Sequence, residues 1–294
     1  MTLLGIDGGG SRVRALLTRN GVEIGRAESG PGNPLSAGFE TAEANIKRAA
    51  EKACQDAGGL RVVDAACVGL AGVGRPSAAE KMRDALRRIG FPSRTLLTHD
   101  ARIALAGAAW RDSGVALIAG SGSICYGRSE SGVEARCGGW GSLLDDAGGG
   151  YAVGLAGFRA AMRAYDGRLD SRVLLESALE FCGVDSAEEI VAWKGLVEKS
   201  VVAEFAPRVF SAAETGCPEA ARIVQEGAGE LAAMAAVVAD RLGFGKSARV
   251  WAAGGLAKAY PSYVSAMAEA SSLRFSPAQN DGAAGAVFLA KLLL

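Results

Sequence analysis

The stretch LLGIDGGGS, residues 3–11, decides how the fold of this chain is predicted. An apolar run ends in an aspartate and three glycines, and a second apolar run, residues 13–17, follows directly. A glycine turn between two strands exposes backbone N–H groups that form a concave anion site. The segment is therefore predicted to be a β-hairpin whose turn binds phosphate.

A second glycine turn, GSGS at residues 120–123, has the same surroundings. It follows the apolar run VALIA and precedes the strand-like run ICY. Two such hairpins predict two loops that close on one polyphosphate, so a nucleotide is the first ligand to suspect. Neither turn fits the Walker loop or the dinucleotide fingerprint, because no helix follows the turn and no matching glycine spacing occurs after a strand.

Composition predicts an ordinary globular protein with a well-buried core. The 294 residues are 49% hydrophobic, and 32 basic side chains balance 32 acidic ones, which argues against nucleic acid or an anionic membrane as a partner. The six cysteines are scattered without a C-x-x-C pair, so we expect a reduced cytoplasmic protein without a zinc site. No apolar stretch is long enough to predict a membrane span, and a homodimer stays open.

The order meander, helix, strand, helix, strand is predicted twice. In the first copy a helix covers residues 40–57, and a capping box, Ser77 with Glu80, opens the next helix. The second copy carries a helical insertion at residues 151–242 and a buried strand at 249–253. We expect an N-terminal lobe, residues 1–108, and a C-terminal lobe, residues 109–282. The last helix, 283–294, is a candidate to pack back on the first lobe.

Two aspartates end predicted strands where ligands bind in α/β sheets. Asp7 precedes the first glycine turn and can hold Mg²⁺ while the turn binds phosphate, although Asp-Gly-Gly is also an ordinary hairpin turn. Asp100 can accept a hydroxyl proton during phosphoryl transfer, or simply cap the helix predicted for residues 101–109. His99, the single histidine, is interpreted as a structural neighbour because nothing nearby completes a triad.

Residues 138–150 contain too much glycine for a core strand. In this segment Trp140 can form a flat wall for a ligand and Asp146 can accept hydrogen bonds from hydroxyls, while a flexible loop with an anchoring tryptophan is the alternative. Asn33, within GNP, is more typical of a turn than of a ligand contact.

These motifs, in this order, resemble the BadF/BadG-type N-acetylglucosamine and glucosamine kinases, in the sugar-kinase branch of the actin-like ATPase superfamily. The resemblance is carried by GIDGGGS at residues 5–11, THDA at 98–101, GSGS at 120–123 and CGGWG at 137–141 with Asp146 following. It implies a duplicated, ribonuclease H-like α/β fold of two lobes, with ATP and sugar in the cleft between them. The implied activity is ATP-dependent phosphorylation of the 6-hydroxyl of an amino sugar.

The resemblance also implies residue roles. Asp7 would organise Mg²⁺, and Asp100 would be the base on the sugar hydroxyl. The implied ATP contacts are Gly9, Gly10, Ser11, Arg12, Gly120, Ser121, Gly122 and Ser123 for the phosphates, and Gly254 and Gly255 for the adenosine. The implied sugar contacts are Asn33, Asp100, Gly139, Trp140, Gly141 and Asp146.

One segment departs from the family pattern, and other activities stay open. The family commonly has Gly-Asp-Glu-Gly-Ser where this chain has DDAGG at residues 145–149, which puts the identity of the sugar in doubt. The main alternative is an ATPase activator of a 2-hydroxyacyl-CoA dehydratase, which would use Cys125 and Cys137 near an iron–sulfur cluster. A sugar-sensing regulator or a filament-forming actin relative is a non-enzymatic alternative.

Overall fold

The computed structural model describes residues 1–194, 198–245 and 248–294. Within these residues the strands form two five-stranded sheets. The first sheet contains β1 (Thr2–Gly8), β2 (Val13–Arg19), β3 (Val22–Ser29), β4 (Ala65–Leu70) and β5 (Thr95–His99). The second contains β6 (Gly114–Ala119), β7 (Ser123–Arg128), β8 (Glu134–Gly138), β9 (Arg249–Ala253) and β10 (Arg274–Pro277).

The two sheets have the same topology, which confirms the predicted duplication. Their strand orders are β3-β2-β1-β4-β5 and β8-β7-β6-β9-β10. In the first sheet β1 pairs antiparallel with β2 and parallel with β4, so an antiparallel meander joins a parallel half. The last strand, β10, was not predicted, because its short sequence RFSP has no alternating apolar pattern.

Helices connect the strands and form most of the segment between β8 and β9. Those before β6 are α1 (Pro34–Ala37), α2 (Phe39–Cys54), α3 (Pro76–Ile89) and α4 (Asp100–Ala109). Those between β8 and β9 are α5 (Gly150–Tyr165), α6 (Arg172–Cys182), α7 (Ala187–Lys194), α8 (Lys199–Ala203), α9 (Ala206–Glu214) and α10 (Pro218–Arg241). The last three are α11 (Gly255–Ala259), α12 (Pro261–Glu269) and α13 (Gly282–Lys291).

Two predicted helix starts are wrong. The capping box at Ser77 does not form, since α3 begins at Pro76 with Arg75 as its N-cap and Ser77 lies inside the first turn. Proline fixes a helical φ at the first position, so the helix starts two residues earlier than a Ser77 cap would place it. Helix α4 begins at Asp100, one residue before the predicted start, and its N-cap is His99.

The chain divides into two compact units. The first contains residues Met1–Ala116, Gly127–Glu134 and Ala278–Leu294, and the second contains Leu117–Tyr126 and Ala135–Pro277. A division by contacts and a functional lobe do not have to coincide, so the lobe boundaries predicted at residues 108 and 282 stay a prediction.

In the first unit the sheet lies between two helical layers. Alternate β1 residues face opposite sides, with Leu4 and Ile6 in the core under α2 and α3, and Leu3 in the core under α4 and α13. Helix α13 lies very close to α4, because a Cβ at Gly285 would overlap the carbonyl oxygen of Ile103. This packing brings the start of α13 to the end of β1, where Asp7 lies.

In the second unit helices α5, α6, α9, α10 and α12 pack around buried aromatic side chains. Phe205, Phe210 and Tyr263 are among its largest fully buried residues, and the Tyr263 hydroxyl donates a hydrogen bond of 2.8 Å to the carbonyl of Gly148. That bond anchors the glycine-rich segment before α5 to the helical core. Among the described residues, none of the helices has the length and apolar character needed to cross a membrane.

Candidate functional site

Asp7 occupies the end of β1 and faces its cross-strand partner, Arg14. The two residues are paired in the antiparallel register of β1 and β2, and Arg14 Nη1 lies 3.6 Å from Asp7 Oδ2. Arg14 also donates from Nε to Glu28 Oε1 on β3, at 3.2 Å. The Arg14 guanidinium is therefore shared between the Asp7 and Glu28 carboxylates. Its positive charge compensates the negative charge of Asp7 only in part.

The surroundings of Asp7 oppose its ionisation. Burial raises the pKa of Asp7 to about 6, Arg14 acts in the opposite direction, and the neighbouring carboxylates of Asp100 and Asp281 raise the pKa further. The Asp7 carboxyl also packs against Gly282, at the start of α13, where a Cβ would lie 2.8 Å from Oδ2. The carboxylates of Asp100, at the start of α4, and Asp281, the N-cap of α13, are thus both within electrostatic reach of Asp7.

The first glycine turn leaves most of its N–H groups unused. Gly9 N–H closes the turn by donating to the Arg12 carbonyl at 2.9 Å. Within the described chain, the N–H groups of Gly10, Ser11 and Arg12 make no hydrogen bond. None of the turn glycines has a positive φ, and a Cβ at Gly10 would meet no protein atom within 4 Å. Neither backbone conformation nor packing requires glycine at position 10, which leaves room for a ligand to approach the backbone.

Asn33 lies directly beside this turn. The N–H groups of Gly32 and Asn33 both donate to the Gly9 carbonyl, at 2.9 and 3.1 Å. The Asn33 side chain also caps α1, because its Oδ1 accepts from Leu35 N–H at 2.9 Å. The Asn33 oxygen therefore has the local structural role that is typical of a turn residue. The side-chain amide nitrogen makes no hydrogen bond among the described residues.

Asp100 is the first residue of α4, at the end of β5. Its Oδ1 accepts from Ala101 N–H at 2.9 Å, and burial raises its pKa. The helix cap is His99, whose Nδ1 accepts from Arg102 N–H at 3.2 Å. The predicted alternative that Asp100 is the N-cap of the helix is wrong, because His99 occupies that position.

The second glycine turn, like the first, is closed by one backbone hydrogen bond. Gly120 N–H closes the turn onto the Gly122 carbonyl at 2.9 Å, and the N–H groups of Ser121 and Gly122 make no hydrogen bond in the described part of the chain. The turn is tied to the start of α5, since Gly150 and Tyr151 donate to the carbonyls of Gly120 and Ser121. Within its own unit each turn therefore offers adjacent unused donors.

Asp146 lies against this second turn. A Cβ at Gly122 would be 2.6 Å from Asp146 Oδ2, so only glycine lets the carboxylate approach the turn this closely. Asp146 has a φ of 65°, a left-handed conformation that aspartate tolerates better than most residues. Ser123 fixes Ala147, the residue after Asp146, because the Ser123 hydroxyl donates to the Ala147 carbonyl at 2.7 Å. The structure thus joins predicted phosphate and sugar residues in one unit.

Trp140 is the exposed part of the same loop. It is 60% exposed, and the Arg136 guanidinium lies 4.2 Å from the centre of its ring. The loop is tied to the turn at Gly139, whose N–H donates to the Ser123 carbonyl at 2.9 Å. The Gly141 carbonyl accepts from the N–H groups of Leu144 and Asp145, at 3.0 and 2.9 Å, which closes a turn just before Asp146. Arg136 covers part of the indole, and the remaining exposed surface of Trp140 is accessible to a ligand.

The turn after β9 contacts the end of β6. A Cβ at Gly254 would overlap the backbone of Ala119, the residue just before the second glycine turn, and Gly254 has a φ of 95°. Gly255 begins α11 and has no protein atom within 4 Å of a built Cβ. In the second unit the predicted adenosine turn therefore borders the predicted phosphate turn.

The site includes residues that the sequence analysis missed. Arg14 could have been found from the hairpin itself, since the pairing of Gly8 with Val13 places Arg14 opposite Asp7. Asp281 and Glu134 gave no local signal, because each reaches the site through packing of distant segments. Among the described residues, no cluster of three or more histidine, cysteine or carboxylate side chains has metal-binding geometry.

Comparisons with known proteins agree with this geometry. The BadF/BadG/BcrA/BcrD ATPase family model matches residues 4–290. The N-acetylmuramic acid/N-acetylglucosamine kinase of Clostridium acetobutylicum is 32% identical over 78% of this chain and 76% of its own length. The glucosamine kinase of Vibrio cholerae is 31% identical, over 78% of this chain and 77% of its own length.

A solved structure agrees along the whole chain. A crystal structure from Chromobacterium violaceum, assigned provisionally as an N-acetylglucosamine kinase, has a TM-score of 0.83 and 28% identity, and the match covers 100% of this chain and 99% of the other. With the repeated sheet order and the paired glycine turns, these matches show that the chain belongs to the BadF/BadG/BcrA/BcrD ATPase family and has the duplicated α/β fold of the actin-like ATPases.

Proposed function

We propose that this chain is an ATP-dependent kinase that phosphorylates the 6-hydroxyl of an amino sugar, N-acetylglucosamine or glucosamine. The observation that carries the proposal is the pair Asp7 and Asp100. They end β1 and β5, which flank β4 in a parallel arrangement, so both carboxylates lie at one edge of the sheet beside a turn with unused N–H groups. Ligands of α/β proteins bind at this edge.

The chemistry follows from what each group can donate or accept. N–H groups of the two turns, with the Arg12 guanidinium, would bind the phosphate oxygens of ATP. Asp100 would accept the proton of the sugar hydroxyl as its oxygen bonds to the γ-phosphorus and ADP departs. A carboxyl whose pKa is raised by burial is a stronger base than an exposed aspartate, which suits this step.

Magnesium fits the residues present. Mg²⁺ usually keeps several waters and binds one or two carboxylates together with substrate phosphates, so a cage of protein ligands is not expected. Burial and the neighbouring carboxylates make ionisation of Asp7 costly when no cation is bound. A cation bound there would offset that cost. When bound, Mg²⁺ would supply charge neutralisation to the phosphates. Asp7 would hold the ion directly or through water.

In the second unit we assign the sugar to Gly139, Trp140, Gly141 and Asp146, and in the first to Asn33 and Asp100. Asp146 is positioned beside the phosphate turn by Gly122 and can accept from sugar hydroxyls. The indole offers an apolar face of the kind on which sugar rings stack. The relatives named above act on amino sugars, which supports this substrate class.

The remaining assignments follow the same reasoning. We place the enzyme in the cytoplasm, because the described cysteines are all unpaired thiols, as in reducing compartments. The ATPase-activator alternative has less support, since the relatives above 30% identity are sugar kinases. A homodimer and the absence of nucleic-acid partners stay predictions.

Sugar-dependent ADP release tests the function. Purified protein with ATP and Mg²⁺ is expected to release ADP with N-acetylglucosamine or glucosamine and to remain near background with hexoses that lack the amino group. N-acetylmannosamine and N-acetylmuramic acid complete the panel. Silence with all sugars, together with bound iron in the purified protein, would instead support the ATPase activator.

The base assignment is tested in the same assay by Asp100→Asn. This change is expected to lower kcat by about 10²–10⁴-fold, the usual contribution of general base catalysis, while ATP binding measured by calorimetry is retained. Asp84→Asn, at an exposed aspartate paired with Arg87, is the matched control. Near-normal turnover by Asp100→Asn would contradict the assignment.

Sugar recognition is tested by Asp146→Asn, which keeps the size of the side chain and its tolerance of the left-handed conformation. Loss of a hydrogen bond to a charged group predicts an increase of roughly 10–100-fold in KM for the sugar with little change in KM for ATP. Asp145→Asn is the neighbouring control, because Asp145 Oδ1 accepts from Ala147 N–H, a role that an amide oxygen can keep. Equal changes in both KM values would exclude a sugar-binding role.

The cost of ionising Asp7 is tested by the stability of Asp7→Asn in metal-free buffer. Native Asp7 keeps its proton to about pH 6 whereas the unfolded chain loses it near 3.8, so wild-type stability falls as pH rises through that window. Above pH 6 we expect Asp7→Asn to unfold with a free energy about 3 kcal/mol higher than the wild type. Urea denaturation measures the difference, which should vanish towards pH 4.

The exposed Asp56→Asn variant is the matched control for this stability experiment. If Asp7→Asn is no more stable than the wild type at pH 7.5, the carboxylate is not destabilising, and a bound cation has no cost to offset.

A further inference from the structure

We propose that His99 and Glu134 form a positioning pair for Asp100. Glu134 binds one imidazole nitrogen of His99 and thereby orients the other nitrogen to cap α4. The capped first turn of α4 then holds Asp100 in place. The inference rests on the proposed function, because it assumes that Asp100 is the base. His99 itself touches no reacting atom in this account.

The hydrogen bonds determine the tautomer of His99. Its Nδ1 accepts from the backbone N–H of Arg102 at 3.2 Å, so this nitrogen carries a lone pair and no proton. The neutral ring then has its proton on Nε2, which lies 3.3 Å from Glu134 Oε2 and donates to it. With both nitrogens engaged, His99 is not available as a general base.

Glu134 is held in turn by a chain of ion pairs that returns to α4. Arg128 Nε lies 3.6 Å from Glu134 Oε1, and Arg128 Nη1 lies 3.0 Å from Asp112 Oδ2. Asp112 accepts two hydrogen bonds from the Arg102 guanidinium, at 2.9 and 2.7 Å. Arg102 therefore binds the network through its side chain and His99 through its backbone, which closes a ring around the first turn of α4.

The two ion pairs made by Asp112 are sheltered from solvent, whereas the Glu134 side chain is 42% exposed. The side chains of Arg102 and Asp112 are each 19% exposed, and that of Arg128 is 21% exposed. Sheltered, bidentate pairs hold their geometry better than exposed single contacts, which contribute little. The part of the ring formed by Arg102, Asp112 and Arg128 is therefore suited to holding the first turn of α4 in place.

Asp100 needs such support because it has little of its own. Its carboxylate accepts from the N–H of the adjacent Ala101, a bond that moves with the helix turn. The orientation of the carboxylate therefore depends on how firmly the first turn of α4 is formed. Serine, threonine, aspartate and asparagine cap helices without help, whereas a histidine cap requires the correct tautomer. A carboxylate behind an imidazole is a known way to impose one.

A double-mutant cycle tests the pair. His99→Asn keeps a capping oxygen that does not need Glu134, so its kcat should remain close to that of the wild type. His99→Ala and Glu134→Ala should each lower kcat by roughly tenfold with KM for ATP little changed, as expected for a misplaced catalytic group. In the His99→Asn background, Glu134→Ala should have no further effect. Glu43→Ala, which removes a glutamate paired with Arg88 elsewhere in the same unit, is the control.

Hydrogen exchange gives a readout that does not depend on activity. The Arg102 amide should exchange faster in His99→Ala and in Glu134→Ala, and at the wild-type rate when Glu134→Ala is combined with His99→Asn. Circular dichroism confirms that each variant is folded. This readout stands even if the wild type shows no sugar-dependent turnover, which would refute the proposed function instead.

Two results would overturn the positioning pair. One is an equal effect of Glu134→Ala in the histidine and asparagine backgrounds, which would mean that Glu134 does not act through His99. The other is a His99→Asn variant as inactive as His99→Ala while the Asp100→Asn control confirms the base, which would mean that the cap is not what the histidine supplies.

Discussion

The site depends on one constraint, the burial of the Asp7 carboxylate at the end of β1. Asp7 is sheltered by the start of α13 and lies near two further carboxylates, while its cationic partner Arg14 is shared with Glu28. Ionised Asp7 is therefore incompletely compensated within its own unit. Without a cation, ionised Asp7 lowers the stability of the fold, and a bound cation would neutralise its charge. Such a site is suited to binding a metal–nucleotide complex. Active sites often carry a cost to stability of this kind.

The duplicated fold places a similar glycine turn in each unit. Both glycine turns use one N–H to close the turn and leave the following N–H groups unused. The second turn also has Asp146 packed on its glycine, so a residue assigned to the sugar and a turn assigned to phosphate share one packing contact. A change at Gly122 would therefore disturb both. At the first turn Asn33 approaches through backbone hydrogen bonds instead.

The sequence sufficed for features that depend on local patterns. Alternating apolar runs around the glycine turns predicted both meanders, and the repeated order of elements predicted the duplication. Features set by contacts between distant residues were missed, including β10, the ring from His99 to Arg102, and Asp281 beside Asp7. The start of α3 was misplaced for a local reason, since proline competes with the serine capping box. Where ATP and sugar lie relative to the two units stays a prediction.

The central claim is that these residues transfer the γ-phosphoryl group of ATP to the 6-hydroxyl of an amino sugar. The most direct measurement is a proton–phosphorus correlation spectrum of the product formed from N-acetylglucosamine, ATP and Mg²⁺. The account predicts a phosphorus signal coupled to the two protons on C6, with one ADP formed for each sugar consumed. Inorganic phosphate as the only product, or coupling to a ring proton at another carbon, would contradict it.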